Sequence, residues 1–299
     1  MRYLSVEDIR SHLKDDNGWT NTTTYDDRIT RAIQRAVEEL ETTAHFDWTI
    51  RSASFAVSAN TEKYALPYDF REEVMDTVFH KDNMLGRIDP SGFKVRRDAI
   101  GAQTDSPKVF NVSGMWPVEK QPSAATVITV VIASSADSAT TITVRGLSDG
   151  VERYEAVSPT TQLTVDTSLQ FTELFDVSKR DTTTGLVKIY EGNTLLLTIP
   201  PQAKAMNFMV MRFDPIPNGT ATVTFEYYRN LGVSLQLGES VPLPASFERL
   251  IYTRVLVYID EFRRDWEAHR SHVAQFLDGK ETLKGEKREP TGFTHPFAR

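Results

Sequence analysis

The chain contains no cysteine in 299 residues. Disulfides, thiolate metal ligands and thiol nucleophiles are therefore excluded. Basic excess is lacking too: Lys and Arg total 34 against 41 Asp and Glu, a formal net charge of −7. That argues against a general phosphate-binding surface, which needs a surplus of cations. Long apolar runs are absent, and stretches such as Val127 to Ala133 are only strand-sized. None approaches the roughly 18 apolar residues that span a bilayer, so no membrane partner is expected. The opening residues Met1-Arg2-Tyr3-Leu4-Ser5-Val6-Glu7-Asp8 carry no apolar core after the basic residue and do not read as a signal peptide. No HExxH, GxSxG, Walker or dinucleotide fingerprint occurs. No catalytic residue, cofactor or metal is expected, and an enzyme is the minor reading.

Helical periodicity occupies both ends. Ser5 is placed to cap a short first helix that Asn17-Gly18 stops. Thr24-Tyr25-Asp26-Asp27 resembles a capping box ahead of a stronger helix. In it Ile29, Ile33, Val37 and Leu40, with Ala32 and Ala36, form one apolar stripe on a 3.6-residue period. Near the other end, Leu243-Pro244 opens a long helical region whose stripe is Phe247, Leu250, Ile251, Val255, Tyr258 and Phe262. The two stripes are expected to pack on each other as a helical core. A break between Asp260 and Asp265 is possible, and Asp278-Gly279 is expected to end the helix.

Between them the period changes to two. Trp48 to Val57, Tyr64 to Leu66 and Val109 to Val112 read as extended, while residues 89–101 read as a short helix. Residues 122–204 are rich in Thr, Ser, Val and Ala. They divide into candidate strands at 125–132, 140–147, 151–157, 161–165, 169–176, 186–190 and 194–199. Turn pairs such as Asp149-Gly150 and Gly192-Asn193 separate them. Seven short strands so punctuated suggest an inserted all-β, immunoglobulin-like sandwich. After it, 206–213 and 222–228 read as a hairpin around Pro215-Ile216-Pro217-Asn218-Gly219, so that the sandwich is spliced between strands of one small antiparallel sheet. The expected class is α+β. A helical-bundle domain with that sheet comprises 1–121 and 205–285, the insert 122–204 interrupts it, and 286–299 form a C-terminal arm.

Isolated polar groups have plain explanations. His269 and His272 are three apart on a helix, but no third ligand accompanies them, so they read as exposed helix histidines. Glu72-Glu73 and Asp26-Asp27 are adjacent, which does not place carboxyls across a substrate. Lys94-Val95-Arg96-Arg97 reads as a solvated helix face. The arm Pro290-Thr291-Gly292-Phe293-Thr294-His295-Pro296-Phe297 holds two Phe in a segment unable to build its own core. It reads as a peptide that orders on a partner, with Phe293 and Phe297 as anchors.

The order of these pieces carries a resemblance. The capped helix, Phe46-Asp47-Trp48, Tyr64-Ala65-Leu66-Pro67-Tyr68-Asp69-Phe70, Val223-Thr224-Phe225-Glu226-Tyr227-Tyr228 and Val241-Pro242-Leu243-Pro244-Ala245-Ser246-Phe247 before a long helix together resemble the head-to-tail adaptor (connector) proteins of tailed bacteriophages. The likeness spans most of 1–121 and 205–285. The insert departs from the minimal pattern. The resemblance implies a virion protein assembled in the host cytoplasm. It would form a homo-oligomeric ring, typically a dodecamer, under the portal protein. The arm, with Phe293, His295, Pro296, Phe297 and Arg299, would reach the portal. The opposite end would meet the next tail component (a nozzle, stopper or tail tube terminator), and DNA would pass through the channel without sequence-specific binding. A cell-wall hydrolase and a carbohydrate-binding module built on the insert are the rival readings. Tyr154, Phe171, Phe175 and Tyr190 are the insert's few aromatics named for the latter.

Overall fold

A computed structural model describes residues 2–4, 6–16, 26–43, 46–159, 163–236, 241–243 and 245–285. Along the chain, β1 (Arg2–Leu4), α1 (Val6–Asp16) and α2 (Asp26–Thr43) come first. They are followed by β2 (Ile50–Val57), β3 (Lys63–Ala65), β4 (Phe70–Glu73), β5 (Phe79–His80), β6 (Asn83–Met84) and β7 (Gly86–Arg87). Next are α3 (Pro90–Ile100), β8 (Thr104–Asp105) and β9 (Val109–Trp116). The insert supplies β10 (Thr126–Ile132), β11 (Ile142–Ser148), β12 (Val151–Val157), β13 (Thr164–Phe171), β14 (Glu173–Lys179), β15 (Val187–Glu191) and β16 (Thr194–Ile199). The rest is β17 (Phe208–Asp214), β18 (Ile216–Pro217), β19 (Ala221–Arg229), α4 (Leu231–Gln236), β20 (Val241–Leu243), α5 (Ala245–Arg263) and α6 (Trp266–Gly285). The class is mixed: mostly strands in several sheets, plus helices. The chain divides into two compact units, Met1–Trp48 with Gly238–Arg299, and Thr49–Leu237.

In the helical unit β1 pairs antiparallel with β20, which joins the two distant lengths of chain. α2 and α6 both lie against α5. Ile29, Ile33, Val37 and Leu40 of α2 are buried, as are Phe247, Leu250, Ile251 and Val255 of α5. Phe46, Trp48 and Phe247 form an aromatic group, with centroids 4.8 Å apart for Phe46–Phe247 and 5.0 Å for Trp48–Phe247. The break between Asp260 and Asp265 is real: Arg264 takes the left-handed conformation (φ 60°), and Asp265 accepts from the Ala268 amide to start α6. α6 does not stop at Gly279 but runs on to Gly285. Gly279 serves close approach rather than termination, since a Cβ there would sit 2.9 Å from Leu250 Cδ1. The expected Ser5 and Thr24 caps lie outside the described residues.

The strand unit has two cores. In the first, the sheets β3-β17-β9-β7 and β2-β19-β5-β6 share buried side chains that include Val57, Leu66, Phe110, Phe213 and Phe225. The expected 206–213/222–228 hairpin does not form. β17 pairs with β3 and β9, and β19 with β2, β4 and β5. Pro215 and Pro217 remove two amide donors from the connection, so it cannot close a ladder; β18 instead pairs parallel with β8. Each strand after the insert therefore finds its partners before it. α3 begins at Asp89, whose carboxylate accepts from the Ser91 and Gly92 amides, each at 2.9 Å, with Pro90 in the first turn. The Ser91 hydroxyl and these amides hold the Asp89 carboxyl below its ordinary value.

The second core is built mainly from strands of the insert, and Val118, Met206 and Phe208 from outside 122–204 join it. β13-β10-β15-β16 form one antiparallel sheet and β12-β11-β14 another. Their inward residues, among them Ile128, Val130, Val144, Phe171, Val177 and Ile189, make one cluster. The expected strands at 161–165 and 169–176 are redivided as β13 and β14. Asp149 (φ 51°) and Gly150 (φ 74°) are both left-handed, the two-residue hairpin geometry whose twist suits its strands. The Gln121 side chain both donates to the Leu174 carbonyl (3.0 Å) and accepts from the Leu174 amide (2.8 Å), so it docks the start of the insert on β14.

Lys179 is buried at the insert's other end. Its Nζ donates to Thr183 Oγ1 (2.6 Å) and to the carbonyls of Pro200 (2.8 Å) and Pro201 (2.7 Å). Burial pulls its pKa down to about 8, while Asp137 acts in the opposite direction. Asp137 itself accepts from the Thr184 and Gly185 amides. Both proline carbonyls keep a second donor, the amides of Ala203 and Thr183. Lys179→Met should therefore cost about 2 kcal/mol rather than the larger penalty of wholly orphaned acceptors. Calorimetry would show this as a fall of roughly 4–8 °C in melting temperature.

Candidate interaction surface

The arginines of α2 repeat at Arg28, Arg31 and Arg35, three and four residues apart, and all are exposed. That spacing lines them up beside the apolar stripe of Ile29 and Ala32. α5 faces them with Tyr258, Ile259 and Phe262. Together these residues line an open groove of about 370 Å³. Its floor is apolar and one rim is cationic. Arg28 Cζ lies 3.6 Å from the Phe262 ring centroid, so guanidinium and ring are stacked.

Phe262 is 53% exposed and forms groove wall, whereas the sequence stripe had placed it in the core. Ile259, which the stripe omitted, is buried instead. Tyr258 is half-buried, and its hydroxyl donates to Glu39 over 3.3 Å. Its phenol is raised chiefly by burial. Glu39 also accepts from Arg254 Nε at 2.6 Å and lies 3.8 Å from Lys280 Nζ, which ties α2, α5 and α6 together below the groove. The arm residues Phe293, His295, Pro296, Phe297 and Arg299 lie outside the described residues.

The two helix histidines are not simply exposed. His272 Nδ1 meets Asp260 Oδ2 at 2.6 Å and His269 Nδ1 approaches the Val257 carbonyl at 3.3 Å, so both fold back onto α5. Among the described residues no group of three His, Asp or Glu is placed to hold a metal.

Buried charge in the strand unit is paired. Asp214 is fully buried and contacts Arg96 Nε and, at 3.1 Å, Arg97 Nε. Arg97 also donates to the Phe213 carbonyl at 3.1 Å and lies 3.4 Å from Glu62. The basic run at 94–97 is thus split: Lys94 and Val95 face solvent, while both arginines clamp β17. Glu73 lies 2.7 Å from Arg87, and burial raises its pKa. Asp69 accepts from Tyr227 and Arg229. These pairs link separate segments of the chain. Ser106 Oγ and His80 Nδ1 are 3.4 Å apart, a weak contact. Burial lowers the pKa of His80. No carboxylate is hydrogen-bonded to His80 among the described residues.

On the insert, the outer face of β12-β11-β14 carries Tyr154, 74% exposed, opposite Arg145. Phe171 is buried, Tyr190 half-buried and Phe175 partly exposed at the register shift of β14. The groove's arginines were legible as a repeat at helical spacing, but nothing in the sequence announced that Phe262 would join them. No protein-family model matches the chain, and no curated protein matches it.

Proposed function

We propose that the chain is a virion structural adaptor, a ring of typically twelve copies that joins the portal to the tail and continues the DNA channel. One observation carries this reading. Lengths of chain on either side of the insert fold together twice, α1 and α2 with α5 and α6, and β2 to β9 with β17 to β19. The quoted motifs fall on those shared elements, in the order that suggested the adaptor family. The insert, with four strands in one sheet and three in the other, is read as an immunoglobulin-like addition available to capsid, fibre or host surface. Acidity suits a channel that must not grip DNA, because few phosphate contacts then need breaking.

Electron microscopy of the purified protein, alone and mixed with the portal protein of its virion, tests the reading; rings docked on the portal are expected. A chain truncated after Gly285 should keep its melting temperature and lose portal binding. Intact binding would remove the arm from the docking role. A peptidoglycan zymogram and a glycan-binding assay address the hydrolase and carbohydrate-module alternatives, and both are expected to be negative.

A further inference from the structure

Arg28, Arg31 and Arg35 of α2 all line one side of the groove. That rim is cationic in a chain of net charge −7.

The groove's chemistry narrows what it can hold. Arg28 rests its face on Phe262 and so leaves its N–H edge to fork onto a carboxylate. Below the rim the groove is lined by apolar Ile29, Ala32 and Ile259, beside the exposed ring of Phe262. Phosphate alone has no use for that floor. A peptide that sets carboxylates beside an apolar side chain matches both rim and floor.

We propose that this groove is the docking site for an acidic peptide segment of a partner protein, with an apolar side chain seated between α2 and α5 and its carboxylates on Arg28 and Arg35. The proposal deepens the adaptor reading and rests on it for the partner's place in the virion.

Fluorescence anisotropy on the full chain supplies the test. The probe is a labelled random copolymer of glutamate and tyrosine, with polyglutamate and duplex DNA alongside. The copolymer should bind better than either. Arg28→Ala/Arg35→Ala should weaken it about tenfold or more without moving the melting temperature. Arg28→Lys should fall between, because an ammonium keeps the charge and loses the stacked fork. Phe262→Ala should weaken the copolymer more than polyglutamate. Unchanged affinity in the double arginine variant, equal binding of polyglutamate, or preference for DNA would each overturn the proposal. So would loss of self-assembly in that variant, which would make the occupant a second copy. Absence of rings from the unmutated protein would end the adaptor reading and leave the copolymer result standing.

Discussion

Gly146→Ala should lower the melting temperature of the strand unit by roughly 6–12 °C. Gly146 sits on β11 opposite Leu174, where the register with β14 shifts by one residue. A Cβ there would lie 2.1 Å from the Glu173 carbonyl oxygen and 3.0 Å from Phe171 Cδ1. The nearer atom is backbone inside a ladder, so it cannot rotate away as a side-chain tip would. Relief requires opening the β11–β14 pairing or displacing Phe171, which is fully buried. Overpacking of this kind costs about 3 kcal/mol or more. For a body of this size each kilocalorie is worth about 2–4 °C. Gly150→Ala is the control. Its φ is 74° but nothing lies within 4 Å of the added carbon, so only backbone strain remains, about 1–2 kcal/mol. A differential scanning calorimetry shift under about 2 °C for Gly146→Ala would show that the close approach does not constrain the fold.

Local pattern revealed the elements better than their partners. Strict alternation and turn pairs placed β12 at Val151–Val157 and β16 at Thr194–Ile199, because strand period and left-handed turns are properties of a few consecutive residues. The stripe of α2 likewise marked residues that are buried. Pairing is not local. The alternation of Val223, Phe225 and Tyr227 says that β19 has a buried face, yet not that β2 and β5 flank it. Arg96 and Arg97 look solvated until β17 brings Asp214 to them across more than a hundred residues. Gly279 reads as a stop because glycine usually is one, and only the presence of Leu250 reveals the close helix contact. The groove shares this limit. Its arginine repeat lies in one helix and is readable, while its aromatic wall comes from another.

Asp69→Ala should cost about 3–5 kcal/mol, the penalty of stranding a buried opposite charge. Asp69 is fully buried, and its carboxylate accepts from Tyr227 Oη and Arg229 Nε, each at 2.7 Å, with Arg51 at 3.4 Å. Burial, then the bond to Asp69, pushes the Tyr227 phenol well above its ordinary range, so it remains a donor. Asp69→Asn keeps an acceptor for Tyr227 but turns an amide donor toward Arg229, and should lose nearly as much. Tyr227→Phe removes one bond to a charged group and leaves both arginines in place, costing about 1.5–3 kcal/mol. Urea melts should rank the variants in that order, and a double-mutant cycle between Asp69 and Tyr227 should show coupling. Equal stability of Asp69→Ala and the unmutated protein would contradict the buried-pair account. The ranking bears on the functional reading as well. Asp69 lies in Tyr64-Ala65-Leu66-Pro67-Tyr68-Asp69-Phe70, one of the motifs behind the adaptor resemblance. In that motif the Tyr64 hydroxyl accepts from the Ser58 amide, Leu66 is buried and Phe70 stacks on Tyr227 at 5.6 Å. These residues work in the interior, so their recurrence in another chain would track a shared fold. On the adaptor reading proposed above, partner choice would then be written elsewhere, on surfaces such as the proposed arginine groove.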